Sequence, residues 1–173
     1  IKRTIQYRPD GNDFVCVNGK NRYTRALYGG ITDFRIETSD RPVFAAYKPK
    51  DSKHICFRLQ CGNQSIALDS LKFCEARYRA GRRTYRLTDP LLGKGELNIS
   101  VLAFPDAEGG IWRFTMKDMP EGALLHCYIS EIRAKNLSRN GDMGADRADS
   151  FDAPQLPKEQ KHYKLSLDGT TAY

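Results

Sequence analysis

The side chains with which this chain of 173 residues could do chemistry are its carboxylates, its three histidines and its five cysteines. Two carboxyl groups can hydrolyse a glycoside when they flank the scissile bond, one as general acid and the other as base or nucleophile. Acidic residues are available, but nearly all lie in predicted turns or on outward strand faces. No nucleophile elbow, phosphate-binding loop, dinucleotide fingerprint or zinc-protease motif is present either. The sequence therefore predicts no catalytic residue in this domain.

The histidines and cysteines do not form a metal-binding pattern. His54, His126 and His162 are far apart and have no Cys, Asp or Glu at ligand spacing, so we predict structural roles for them. The five cysteines are Cys16, Cys56, Cys61, Cys74 and Cys127. Their number is odd, and they lack the paired Cys-x2-Cys units of a zinc site. A disulfide between Cys56 and Cys61 is an alternative, but we predict buried free thiols because Cys packs as a small hydrophobe. We expect no metal and no cofactor.

A long segment, residues 138–160, is rich in small turn formers and has no hydrophobic periodicity. Its aspartates are Asp142, Asp146, Asp149 and Asp152, but they lack the spacing of a calcium loop. Loops of this length are uncommon in compact domains unless they bind something. Phe151 is an apolar residue among turn formers. We predict that Asp142, Asp146 and Phe151 contact carbohydrate or a neighbouring domain; a solvated surface insertion is the alternative.

Basic residues concentrate in the first part of the chain. The net charge is +7, and residues 1–100 hold 19 Lys and Arg against 10 Asp and Glu. Five arginines lie on one predicted hairpin: Arg77, Arg79, Arg82, Arg83 and Arg86. A nucleic-acid platform needs cations and aromatic rings on the same face, whereas alternation places Tyr78 and Tyr85 opposite the flanking arginines. We therefore predict a solvated or domain-contacting arginine face, with Arg77 and Arg79 as candidate contacts and no nucleic acid.

The elements that must position these residues are predicted to be antiparallel strands. Short apolar or alternating runs, at 14–17, 34–38, 43–47, 54–60, 72–104, 111–117 and 123–132, are separated by Gly, Pro, Asp and Asn. Asn18-Gly19, residues 61–64, residues 80–82 and residues 108–110 are predicted as hairpin turns. Residues 162–167 resume a strand. The pattern predicts an all-β antiparallel sandwich of the supersandwich type, with little or no helix.

The alternation also predicts which side chains form the core. Leu97, Ile99 and Val101 should be buried, with Glu96, Asn98 and Ser100 exposed on the opposite face, because a strand at period two hides one face. Trp112, Phe114 and Met116 alternate with polar residues, which favours a core position for Trp112 over a sugar-stacking one.

The whole chain, residues 1–173, is predicted to be a single domain. No apolar run approaches the length of a membrane span, and no signal peptide is present. The chain begins at Ile1 and stops at Tyr173 as a final strand begins, so we expect it to be the N-terminal part of a longer protein.

Four phrases resemble a known family. They lie at residues 7–14 (YRPDGNDF), 18–29 (NGKNRYTRALYG), 141–146 (GDMGAD) and 150–154 (SFDAP). They are similar to an uncharacterised domain family of Bacteroides-type gut bacteria, which looks like the N-terminal β-sandwich region of large glycoside-hydrolase-like proteins. The resemblance implies a catalytic-type α/α-barrel downstream, a carbohydrate context, and a periplasmic or cell-surface location. It carries over no catalytic residue.

Together, the residues and the resemblance predict a non-catalytic accessory β-sandwich domain of a carbohydrate-active protein that could be a glycoside hydrolase. Its partner would be the downstream catalytic-type domain, with polysaccharide as a further ligand. A free-standing carbohydrate-binding module, which would expose an aromatic platform, is the alternative; a basic nucleic-acid-binding sheet is a third.

Overall fold

The computed structural model describes residues 6–48 and 52–131. They form two antiparallel sheets packed face to face, with two short 3-10 turns as the helical content of these ranges. The predicted all-β sandwich is confirmed. The strands, in chain order, are β1 Arg8–Asp10, β2 Asp13–Val17, β3 Tyr23–Leu27, β4 Arg35–Ser39, β5 Val43–Tyr47, β6 Lys53–Cys61, β7 Gln64–Ala67, β8 Phe73–Arg79, β9 Arg82–Thr88, β10 Glu96–Ala103, β11 Gly110–Lys117 and β12 Leu124–Glu131.

The first sheet has the order β1-β2-β8-β9-β10-β11, and the second has the order β12-β6-β5-β4-β3. Strand β6 is the longest, and one of its edges is shared by β5 and β7 while β12 pairs along the other. All pairings between the described strands are antiparallel. Short turns dictate this for strands that follow one another in the chain, whereas β2–β8 and β6–β12 join distant strands.

The core lies between the sheets and is built from one face of each strand. Leu97, Ile99 and Val101 of β10 are buried, as predicted. Phe44 is the centre of an aromatic cluster and makes edge-on contacts with Phe57, Tyr85 and Trp112, at centroid distances of 6.1, 5.7 and 5.8 Å. Trp112 therefore packs against the core, as the alternation indicated.

The opposite face of β10 differs from the prediction. Glu96, Asn98 and Ser100 point away from the core but are half-buried instead of exposed. β10 is flanked on both sides by β9 and β11, and long neighbouring side chains lie over it: Arg86 contacts Glu96 at 3.6 Å. The polar face of a strand that has a neighbour on each side is partly covered by the side chains of those neighbours.

The predicted hairpin turns at residues 61–64, 80–82 and 108–110 are confirmed, and Gly62 and Gly81 adopt the positive φ that these turns require. The hairpin predicted at Asn18-Gly19 is wrong. Asn18 has φ 48° but leads from β2 in the first sheet to β3 in the second. Its side-chain oxygen accepts from the backbone N–H of Cys74 at 2.9 Å, so a dipeptide typical of hairpins here ends one pairing and changes sheets.

The long loop at residues 138–160 and the strand expected at 162–167 lie outside the described residues, as do Asp142, Asp146 and Phe151. Within the described ranges, no helix has the length and apolar character needed to cross a membrane.

Candidate functional site

The candidate contacts Arg77 and Arg79 lie on the outer face of the first sheet, as predicted. Arg77 donates through Nε to Glu75 at 2.8 Å and contacts Asp10 at 2.9 Å, while Arg79 donates to Asp13 at 2.6 Å. Hydrogen bonds from Arg79 and Arg77 lower the pKa of Asp13 and Glu75 respectively. Both arginines are thus bound by carboxylates of their own sheet, and these carboxylates are held ionised.

Arg83 does not belong to this outer face, contrary to the prediction that grouped it with the other hairpin arginines. It pairs across the hairpin with Tyr78 and shares the inward face with Tyr85; its side chain has 0% exposure. An arginine can take this position because a set of buried oxygens surrounds its guanidinium.

Arg83 and the residues that supply these oxygens form a buried polar cluster: Tyr7, Thr24, Ser39, Asp40, Arg83 and Tyr85. Arg83 Nη2 donates to the Tyr7 hydroxyl at 2.6 Å and to the Ser39 carbonyl at 2.9 Å, and lies 3.6 Å from Asp40 Oδ1. Tyr85 donates to the same Ser39 carbonyl at 2.6 Å. Tyr7 and Thr24 both donate to Asp40 Oδ1. The cluster joins β9 of the first sheet to the end of β4 in the second.

The buried polar cluster is not suited to proton transfer. Burial, the largest effect, raises the pKa of Tyr7 to about 12, and burial likewise raises the pKa of Tyr85. Both phenols are therefore neutral at physiological pH and act as hydrogen-bond donors. The arrangement stabilises the fold and offers no activated base or nucleophile.

The histidines and cysteines of the described ranges are dispersed. His54 is buried and its two ring nitrogens have no hydrogen-bond partner, whereas His126 Nε2 lies 3.0 Å from Gln60 Oε1. No three His, Cys, Asp or Glu side chains converge on a metal-sized space in this part of the chain. The five cysteines are unpaired, so the alternative Cys56–Cys61 disulfide is not formed.

The burial predicted for the thiols is correct only in part. Cys16 and Cys74 are buried, Cys56 and Cys61 are intermediate, and Cys127 is exposed. Cys127 is exposed because it lies on β12, an edge strand among the described residues, where the first sheet does not cover it.

A surface that sequence reasoning missed lies at one end of the sandwich, where the β3–β4 loop meets the β10–β11 loop. Three apolar side chains project from it: Tyr28 is 62% exposed, Phe104 is 39% exposed and Ile31 is fully exposed. We call Tyr28, Ile31 and Phe104 the loop surface. Exposed single apolar residues are ordinary, but three on two touching loops form a patch.

Two glycines allow the backbones of the two loops to approach each other closely. A Cβ on Gly29 would lie 1.7 Å from the carbonyl oxygen of Phe104, and one on Gly30 would lie 3.2 Å from that of Pro105. Only a residue without a side chain permits the Gly29 contact. The backbones of the loops are therefore in direct contact, which fixes the position of Tyr28 relative to Phe104.

A shallow open groove of about 630 Å³ adjoins the loop surface. Ile31, Thr32, Asp33, Lys48 and Glu108 line it, and Lys48 Nζ forms a 2.5 Å ion pair with Glu108. Thr32 Oγ1 accepts from the backbone N–H of Phe34 at 3.2 Å, which orders the loop. The groove offers charged and hydroxyl groups beside exposed apolar ones, a combination found at recognition surfaces.

Gly29 and Gly30 are the residues from which this contact between loops could have been suspected. Two adjacent glycines immediately after Tyr28 were the available signal, since such a pair also permits a close backbone approach. The partner of that approach, Phe104, lies far along the chain, so no local pattern could identify it.

These features define an all-β domain with exposed apolar side chains and an adjoining groove on its loops. A family model described as a domain of unknown function (DUF4450) matches residues 49–170, and the chain belongs to this family. Searches of curated proteins and of solved structures found no significant match.

Proposed function

We propose that this chain is a non-catalytic accessory β-sandwich domain of a carbohydrate-active, glycoside-hydrolase-like protein, and that it contacts a neighbouring domain of that protein through the loop surface. The observation that carries the proposal is the exposure of Tyr28, Ile31 and Phe104 from loops whose backbones are in direct contact. A surface that is apolar and already ordered binds a protein partner with little loss of conformational entropy.

The polar rim of the loop surface supports a contact between domains. Lys48, Glu108 and Asp33 line the groove that Ile31 also lines, and interdomain interfaces commonly have an apolar centre with a polar rim. The carbohydrate context comes from the resemblance of residues 7–14 and 18–29, and the proposed export to the periplasm or cell surface has the same support. Cell fractionation tests that location.

The interdomain contact can be tested by hydrogen exchange. We expect amides at residues 28–33 and 104–109 to exchange more slowly in the longer protein than in the isolated chain. Ile31→Asp should abolish this difference, since it places a charge in the apolar contact. Val17→Asp is the matched control, because Val17 is also an exposed aliphatic residue but lies on β2. Equal exchange in the two proteins would exclude this contact.

A second candidate function is direct binding of carbohydrate at the same end of the sandwich. Tyr28 presents an exposed aromatic ring on the β3–β4 loop, and Asp33 of the same loop lines the groove. Aromatic rings with nearby polar groups suit a sugar ring. Calorimetric titration of the isolated chain with soluble oligosaccharides distinguishes this function. Binding that Tyr28→Ala abolishes and Phe14→Ala preserves would favour it, since Phe14 is exposed on β2.

A separate titration with single-stranded oligonucleotides tests the nucleic-acid alternative. Arg77 and Arg79 are paired with carboxylates, which reduces the positive charge available to phosphates. Binding of single-stranded oligonucleotides that weakens steeply with salt would revive this alternative.

A further inference from the structure

The outer face of the first sheet has two halves that differ in charge. Directly paired residues share a face, so the register shows which side chains point outward. On β1, β2 and β8, three outward cations are matched by three carboxylates: Arg8, Arg77 and Arg79 against Asp10, Asp13 and Glu75. On β9, β10 and β11, four outward cations accompany one carboxylate: Arg82, Arg86, Arg113 and Lys117 with Glu96. The second half, which we call the β9–β11 face, is therefore strongly positive.

Arg113 is an exposed cation of the β9–β11 face whose neighbours on that face are neutral. Ser100 lies directly across from it on β10, and Ile111 and Thr115 lie two positions away along β11. Arg79, on the other half, differs because its Nε donates to Asp13 at 2.6 Å. An arginine presents its N–H donors in a planar fork that matches the two oxygens of a carboxylate. The surroundings of Arg113 therefore favour an anionic ligand.

Polar side chains continue from Arg113 across the strands. Thr84, Ser100 and Arg113 form one row over β9, β10 and β11, and Asn98 and Thr115 belong to the next row. Neighbouring strands are about 4.8 Å apart, so an extended ligand that crosses them meets one polar side chain on each strand. Hydroxyl and amide groups both donate and accept hydrogen bonds, as the hydroxyl groups of a sugar do. The centre of the β9–β11 face thus suits a polyhydroxylated chain.

The distribution of apolar and aromatic groups distinguishes between classes of anionic ligand. A protein interface has an apolar centre and a polar rim. Here the centre is polar, and the exposed pair Leu102 and Ile111 lies at one end of the face. A single-stranded nucleic acid is bound by aromatic rings beside cations. The outward positions of β9, β10 and β11 hold no aromatic residue, and all of them lie within the described ranges.

We propose that the β9–β11 face binds a linear acidic polysaccharide that contains uronic acid units. Arg113 holds the carboxylate of one unit through two parallel hydrogen bonds, the geometry in which charge-assisted bonds are strongest. Ser100 and Thr84 bind sugar hydroxyls along the same row, and Arg82 contributes positive charge at the far side of β10. This site consists of other residues than the loop surface, so it does not depend on the contact proposed for that surface.

Calorimetric titration of the full chain with polygalacturonate and with alginate tests the proposal. We expect at least one of them to bind, with an affinity that falls as salt is added. Arg113→Gln should weaken binding about tenfold. Arg113→Lys should also weaken it, because an ammonium group keeps the charge but lacks the planar fork. Arg79→Gln is the matched control, since Arg79 is bound to Asp13, and Tyr28→Ala is the control for the loop surface. Both should bind as the wild-type chain does.

Several results would overturn the proposal. Binding of neither polyuronate, or equal binding of fully methyl-esterified polygalacturonate, would show that the face does not recognise carboxylates. Undiminished binding by Arg113→Gln would place the ligand elsewhere, and a loss confined to Tyr28→Ala would place it on the loop surface. Dextran sulfate or a single-stranded oligonucleotide bound as tightly as the polyuronate, with Arg113→Lys unimpaired, would show attraction to any polyanion. None of these results affects the hydrogen-exchange test of the interdomain contact.

Discussion

At the scale of single residues, Arg83 links the two sheets through polar contacts. It is fully buried, and its guanidinium contacts Tyr7, Ser39 and Asp40. Removing one partner of a buried ion pair leaves the other charge without compensation, which costs far more than an exposed pair contributes.

We therefore predict that Arg83→Met lowers the free energy of unfolding by ~3–5 kcal/mol. Arg82→Met is the matched control, because Arg82 precedes it on β9 with an exposed side chain; its effect should stay within ~0.5 kcal/mol. Urea denaturation followed by the fluorescence of Trp112 measures both. Asp40→Asn should restore part of the stability lost in Arg83→Met, since it removes the orphaned charge. Equal stabilities of the two single variants would contradict the role of Arg83.

His54 makes the stability of the fold dependent on pH. Burial lowers its pKa from 6.5 to about 4. Between these values the unfolded chain binds a proton that the folded chain does not, so the free energy of unfolding falls as pH decreases. The loss is about 1.4 kcal/mol for each pH unit and about 3 kcal/mol in all.

We predict that His54→Gln flattens the dependence of the urea midpoint on pH between 6.5 and 4, whatever its effect on absolute stability. His126→Gln, on β12, is the control and should keep the slope of the wild-type protein. The same slope in all three proteins would show that another group is responsible.

At the scale of elements, the contact between the β3–β4 and β10–β11 loops depends on Gly29. A Cβ at this position meets a backbone oxygen that cannot rotate away, so the loops must separate. We predict that Gly29→Ala lowers the free energy of unfolding by ~1–3 kcal/mol. Gly30→Ala, with a contact of 3.2 Å, should have a smaller effect. Thermal unfolding measures the difference, and a larger loss in Gly30→Ala would refute the argument.

The elements that could be predicted from sequence are those defined by local signals. The alternation around Leu97 and the turn at Gly81 predicted β8, β9 and β10 because neighbouring strands are joined by short turns. Asn18-Gly19 was misread because its partner, Cys74, lies in a distant strand. A dipeptide permits a positive φ but does not specify which strand follows.

At the scale of the whole molecule, the sequence predicted the sandwich and the outward position of Arg77 and Arg79. It did not predict the inward Arg83 or the loop surface. Arg83 was grouped with the outward arginines because a buried guanidinium needs compensating oxygens, and those of Tyr7 and Asp40 come from distant parts of the chain. The pairing of Gly29 with Phe104 is a tertiary contact that composition and period do not encode.

The isolated chain should hydrolyse no glycoside. Arginines lower the pKa of Asp13 and Glu75, which is opposite to the shift that a general acid needs. Burial raises the pKa of Asp69, but its carboxylate already accepts a hydrogen bond from the side chain of Asn21 at 2.7 Å. We expect the rate with aryl glycosides and polysaccharides to equal that of buffer. Turnover that disappears on changing a single carboxylate, for example in Glu75→Gln, would show that this domain is catalytic.

The pairing of β2 with β8 has a consequence for synthesis on the ribosome. Val15 pairs with Arg77, and the strands between them, β3 to β7, all belong to the other sheet. The β1–β2 hairpin therefore emerges long before its partner, and its free edge stays unpaired while the second sheet is made. Such non-local pairing slows folding to milliseconds or seconds and leaves that edge open to aggregation meanwhile. In a nascent chain, a chaperone bound to the β1–β2 hairpin would thus protect this edge until β8 has been made.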